Sequence, residues 1–188
     1  MRTSRPPEVE TLRFKADRLV PPGFDGKTEL GRAAIFLGAA AAVFVFGFAV
    51  SYMNAWQGMY VTTRIGGVLR RYENPEALFA HFRGMTSAGR VAFVIAIAAF
   101  LALGYRYVSY HYKGGTRCAY TMRRLPHRWE FYLRCLAVPL GGAVLCEVLA
   151  RLMTLAAGLI YVYATPERWL PPGSWEEVLA TAAGLLAI

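Results

Sequence analysis

The sequence predicts an all-α integral membrane protein with three full transmembrane helices, a partial fourth, and an N-terminal amphipathic helix at the membrane interface. Three observations lead there. Of 188 residues, 56% are hydrophobic and only 18% charged, against about 25% charged in an average soluble domain. Three long apolar runs, 33–53, 91–105 and 135–164, divide the chain, and a helix needs roughly 20 mostly apolar residues to cross a bilayer. Lysines and arginines gather mainly in the segments that flank those runs.

The elements follow in chain order. In "VETLRFKADRLV", Val9, Leu12, Ala16, Leu19 and Val20 fall at helical spacing, with Arg13, Asp17 and Arg18 on other faces. That pattern predicts a helix resting its apolar face at the headgroup boundary, and "VPPGFDG" ends it. The run 33–53 is too long for a signal peptide and lacks a cleavage context, so it is an anchor. Tyr52, Trp56 and Tyr60 supply the aromatic belt of an interface. In "ENPEALFAHF", Asn74 as N-cap, Pro75 at the first helical position and Glu76 in the first turn predict a short extramembrane helix. His81 within it reads as a surface side chain. The 30 residues of 135–164 would rise about 45 Å, so this helix extends past both interfaces or kinks at Pro139 and the Gly141–Gly142 pair. Ser174 and Glu177 predict a capping box. The helix it starts, "WEEVLATAAGLLAI", rises only about 21 Å, as a re-entrant segment or the first part of a longer membrane helix.

Orientation follows from basic flanks, which stay in the cytoplasm. Residues 1–32 carry seven Lys or Arg and 110–134 carry six, against Arg168 alone in 165–175. The chain therefore divides into a cytoplasmic amphipathic segment, 1–32, and a transmembrane domain, 33–188, with a cytoplasmic elbow at 110–134. The five arginines of 54–90 (Arg64, Arg70, Arg71, Arg83, Arg90) run against the outside location that this order of crossings imposes. The net charge of +9 serves topology and lipid headgroups, and no nucleic-acid partner is expected.

Chemistry-bearing residues are few. Glu147 and Arg151 lie four apart inside the third run, on one helix face and in the attractive order. Charge at membrane depth calls for a partner or a wet cavity. The pair is either an intrahelical bridge that docks a neighbouring helix or part of a pathway or partner interface. "CEVLAR" has the ExxxR spacing of CAAX-type intramembrane proteases, but Cys146 stands where their motif has its first glutamate and no later histidine motif follows. His111, Cys118, His127 and Cys135 match no zinc spacing, so no metal is expected. Three cysteines, two of them in or beside a span, imply reduced thiols. With no Walker motif, nucleotide fingerprint, GxSxG or HExxH, no catalysis is expected.

The most informative stretch is "HYKGGTRCAYTMRRLPHRWEFYLRC". A glycine pair breaks the second span, a short helical stretch runs from about Thr116 to Arg124, and Leu125-Pro126 turns the chain into the third span. Tyr120, Met122, Leu125 and Trp129 form an apolar knob beside Arg123, Arg124 and Arg128. In "TMRRLPHRWEFYLRC" and in the order of spans from about residue 8 to 164, the chain resembles the ABC-2 type permeases, membrane subunits of bacterial ATP-binding cassette exporters. That resemblance implies a coupling elbow in which Thr121, Met122, Arg123, Arg124, Leu125, Pro126 and Trp129 grip an ATP-binding cassette subunit. It places ATP and Mg on that partner and none in this chain. It also implies a multi-pass protein of the bacterial inner membrane with a cytoplasmic N-terminus, joined by a second permease copy or paralogue, since the family usually has six spans. The alternative is a structural or regulatory membrane subunit that docks a cytoplasmic partner without forming a pathway.

Overall fold

The computed structural model describes residues 19–21, 24–74, 77–113 and 128–184. It is mostly helical, and three helices are long and apolar enough to span a membrane: α1 (Gly26–Gly58), α2 (Phe82–Lys113) and α3 (Arg128–Ala164). At about 1.5 Å per residue they rise roughly 48 to 56 Å. Their polar ends therefore continue the helix beyond the apolar runs. Helix α1 starts at Gly26 because Asp25 is a helix-starting residue type. The Asp25 backbone carbonyl accepts from the Glu29 N–H at 3.1 Å and its carboxylate accepts from the Thr28 hydroxyl at 2.6 Å. The predicted amphipathic helix lies largely outside the described residues, and Leu19 and Val20, at its end, form a turn and a bend.

The chain is not all-α. Between α1 and α2 stands an antiparallel hairpin of β1 (Tyr60–Ile65) and β2 (Val68–Glu73), with Tyr60 opposite Glu73 and Ile65 opposite Val68. Its two-residue turn needs positive φ at both positions, and Gly66 and Gly67 supply φ of 60° and 84°. The hairpin is closed at its base by the Asn74 N–H donating to the Met59 carbonyl at 2.9 Å. The short helix predicted from Asn74 is not formed over its described part: residues 77–81 are irregular, and α2 begins at Phe82. A main-chain bond from the Phe79 N–H to the Trp169 carbonyl, 2.8 Å, holds that segment in place of helical pairing.

Helix α3 continues through Pro139, which removes one backbone donor. Gly104 of α2 makes room for it: a Cβ there would lie 3.2 Å from the proline ring. After α3 come a 3₁₀ turn (Glu167–Trp169) and α4 (Ser174–Ala183). The predicted capping box is absent. Gly173, with φ of 76°, is the N-cap residue and no side chain caps the helix, so Ser174 is already helical.

The chain forms two compact units, one of the described residues up to Ala39 with Ile95–Cys146, the other of Ala40–Val94 with Glu147–Ile188 as far as described. In the first, Phe100, Tyr107, Cys135, Pro139 and Cys146 are buried, and Phe36 meets Phe100 edge-on at 5.8 Å. The second is built on aromatics. Tyr52, Phe79, Phe82, Tyr161, Trp56 and Trp169 form a chain of ring contacts between 5.2 and 6.4 Å. Tyr52, Trp56 and Tyr60, predicted as a belt, are half-buried members of this cluster.

Candidate functional site

Of the predicted elbow, Thr121, Met122, Arg123, Arg124, Leu125 and Pro126 lie outside the described residues, while Trp129 falls in the first turn of α3. The other predicted pair is formed. Arg151 donates from Nε and Nη2 to the same oxygen of Glu147, Oε1, at 2.9 and 2.8 Å. The spacing of four along α3 brings them onto one face. The second carboxylate oxygen, Oε2, is buried and has no hydrogen-bond partner among the described residues, although the arginine side chain stays 49% exposed. The contact is intrahelical and is compatible with both alternatives, a bridge that docks a neighbouring helix and part of a pathway or partner interface.

The structure assembles a second charged group that sequence reasoning missed. Glu177 of α4 reaches the start of α2, where its Oε1 accepts from the Arg83 backbone N–H at 3.0 Å and its Oε2 lies 3.4 Å from His81 Nδ1. A carboxylate there satisfies an orphan donor and meets the positive end of the helix dipole. Seven residues on, the buried Arg90 donates from Nη2 to the Gly184 carbonyl at 3.1 Å, at the C-terminal cap of α4. Each helix thus supplies the charge that suits the other's end. Because 83 meets 177 and 90 meets 184, α4 runs parallel to the first turns of α2. It also packs on α3, where a Cβ on Gly158 would lie 2.2 Å from Val178.

A third polar group belongs to the first unit. Glu29, 2% exposed, accepts from the Tyr107 hydroxyl at 3.0 Å and is paired with Arg32 one turn on. Phe24 closes it, its ring tilted against Tyr107 at 4.8 Å and edge-on to Tyr110 at 5.0 Å, with Arg106 over the Phe24 ring at 5.4 Å. The Glu29–Arg32 spacing of three lies before the apolar run, where spacing alone does not distinguish it from other charged flank residues. Finally, an apolar cleft of about 370 Å³ lies between Phe44, Phe48 and Met53 of α1 and Met153, Ala157 and Ile160 of α3.

The chain matches no protein-family profile, no curated protein and no solved structure. Among the described residues no three His, Cys, Asp or Glu side chains gather as metal ligands. Cys135 and Cys146 are buried free thiols, and Cys118 and His127 lie outside the described residues. The pairings of Glu29, Arg90 and Glu177 are not legible in the sequence, because their partners Tyr107, Gly184 and Arg83 lie 78, 94 and 94 residues away.

Proposed function

We propose that the chain is the transmembrane permease subunit of an ATP-driven transporter of the ATP-binding cassette type, coupling a partner ATPase to substrate export through the 116–129 elbow. The observation that carries the reading is the arginine-rich connector, with Arg117, Arg123 and Arg124, joining two membrane-length helices, α2 and α3. Force applied at such a connector acts on two spans together. In this reading the N-terminus and the connector are cytoplasmic, in a bacterial inner membrane, and the hairpin lies outside. ATP and Mg belong to the partner, this chain performs no catalysis, and a second permease copy or paralogue supplies further spans.

Two contacts support that topology. Segments 59–81 and 165–173, two crossings apart, are bound together by the Phe79–Trp169 main-chain bond and by Arg168 pairing with Glu73 at 2.6 Å. Arg83 and Arg90 belong to α2 and its contacts with α4, so the outside connector itself retains only Arg64, Arg70 and Arg71. The parallel course of α4 beside α2 supports a partial fourth span that turns back into the membrane.

Purification of the chain from its native membrane should bring down an ATP-binding cassette subunit whose ATPase rate rises with the chain present. Arg123→Glu with Arg124→Glu should abolish that rise. A second reading, a structural or regulatory subunit, is favoured by one observation: Arg90 and Arg151, within spanning helices, both donate to groups of this same chain. In that case the double charge reversal loses the partner but leaves transport by the complex intact.

A further inference from the structure

The β1–β2 hairpin is exposed on both faces. The side chains of residues 61–64 and 68–73 are all exposed, and a two-stranded ribbon with no covered face is only marginally stable in water. The register puts Arg64 opposite Leu69 and Arg71 opposite Thr62 on one face, and Arg70 opposite Thr63 on the other. Beside the turn, Val68 and Leu69 are 61% and 70% exposed. The ribbon therefore ends in an apolar tip with arginines behind it on both faces.

This charge is not balanced from within. Glu73, the hairpin's one carboxylate, pairs with Arg168 at 2.6 Å, and Arg71 lies over the Tyr60 ring at 4.1 Å. No ion pair among the described residues includes Arg64, Arg70 or Arg71. The ribbon also starts two residues after the spanning helix α1 ends at Gly58, and its Tyr60 ring meets Trp169 at 6.0 Å. Six residues per strand give it a length of roughly 20 Å, so it can lie along the surface of the bilayer that α1 crosses.

We propose that the hairpin docks on anionic phospholipid, with Val68 and Leu69 at the headgroup boundary and Arg64 and Arg70 on lipid phosphates. A guanidinium fork matches phosphate oxygens in pairs. Apolar side chains set among basic ones suit a segment held at an anionic membrane surface. The tether favours lipid over an acidic protein, because α1 keeps the hairpin beside the bilayer at all times. This docking needs only the spanning helices, not an ATPase, and holds on either side of the membrane.

The test uses the full chain with Cys118→Ser, Cys135→Ala and Cys146→Ala, an apolar fluorophore on Leu69→Cys, and nanodiscs whose lipids carry bromine on the acyl chains. Quenching should be strong when phosphatidylglycerol is present and weak in phosphatidylcholine alone. Arg64→Gln and Arg70→Gln should each weaken docking about fivefold, and together they should leave the tip unquenched. Arg64→Lys with Arg70→Lys, which keeps both charges, should retain most of the quenching. Lys27→Gln, the same loss of charge at the opposite end of α1, should change nothing. A tip unquenched at every phosphatidylglycerol content, equal quenching in phosphatidylcholine alone, or wild-type quenching by the double Gln variant overturns the proposal.

Discussion

The Glu147–Arg151 bridge and the α2–α4 contacts solve the same problem in opposite ways. The bridge is local: two side chains one turn apart on α3 pair through one carboxylate oxygen, without a partner from another helix in that contact. The α2–α4 contacts are distributed: Glu177 serves the N-terminus of α2, Arg90 the C-terminus of α4, and neither works unless both helices are in place. A local pair stabilises a helix that already exists. A distributed one decides where a helix goes, and here it holds α4 alongside α2.

Four variants would break or sharpen that contrast, all measurable as unfolding free energies in mixed micelles. The largest effect is expected for Gly89→Leu, because even a Cβ at residue 89 would come within 2.3 Å of the Phe44 ring and 2.8 Å of its Cα. That should destabilise by about 3 kcal/mol or more, because it forces apart α1 and α2 at their closest approach to Phe44. Arg90→Leu should cost about 2 kcal/mol, since it leaves the Gly184 carbonyl without its charged donor. Glu177→Ala should cost about 1 kcal/mol, the scale of a lost helix-end partner. The paired change Glu147→Gln with Arg151→Gln should shift stability by no more than about 0.5 kcal/mol, as expected of an i,i+4 pair. An Arg90→Leu effect as small as that of the α3 pair would erase the distinction.

The three spans were legible because composition and run length suffice to predict them. Their ends were not, because Gly26–Arg32 and Phe82–Arg90 carry polar residues whose helical pairing is invisible to an apolar count. The hairpin has a local signal: "VTTRIGGVLRRY" has a Gly-Gly turn between β-branched residues, a strong hairpin signature that an apolar-run count does not register. The opposite error arose at "ENPEALFAHF", where good capping residues suggested a helix. There the Phe79–Trp169 bond and the burial of Phe79 and Phe82 in the aromatic cluster override local preference. Glu177 shows the same override at the candidate site. Its spacing from Ser174 fitted a capping box, yet its carboxylate is used by a helix that begins 95 residues earlier in the chain, at Phe82.

The central functional claim is that the arginine-rich connector of α2 and α3 faces the cytoplasm, where an ATPase can grip it. Cys118 lies in that connector, so replacing the buried Cys135 and Cys146 by alanine leaves one native reporter, and Arg64→Cys in a Cys118→Ser version places a second on the hairpin. With a membrane-impermeant maleimide, Cys118 should react in inside-out vesicles and stay unlabelled in intact cells, while residue 64 should do the reverse. Labelling of Cys118 from the outside of intact cells would contradict both the orientation and the permease reading.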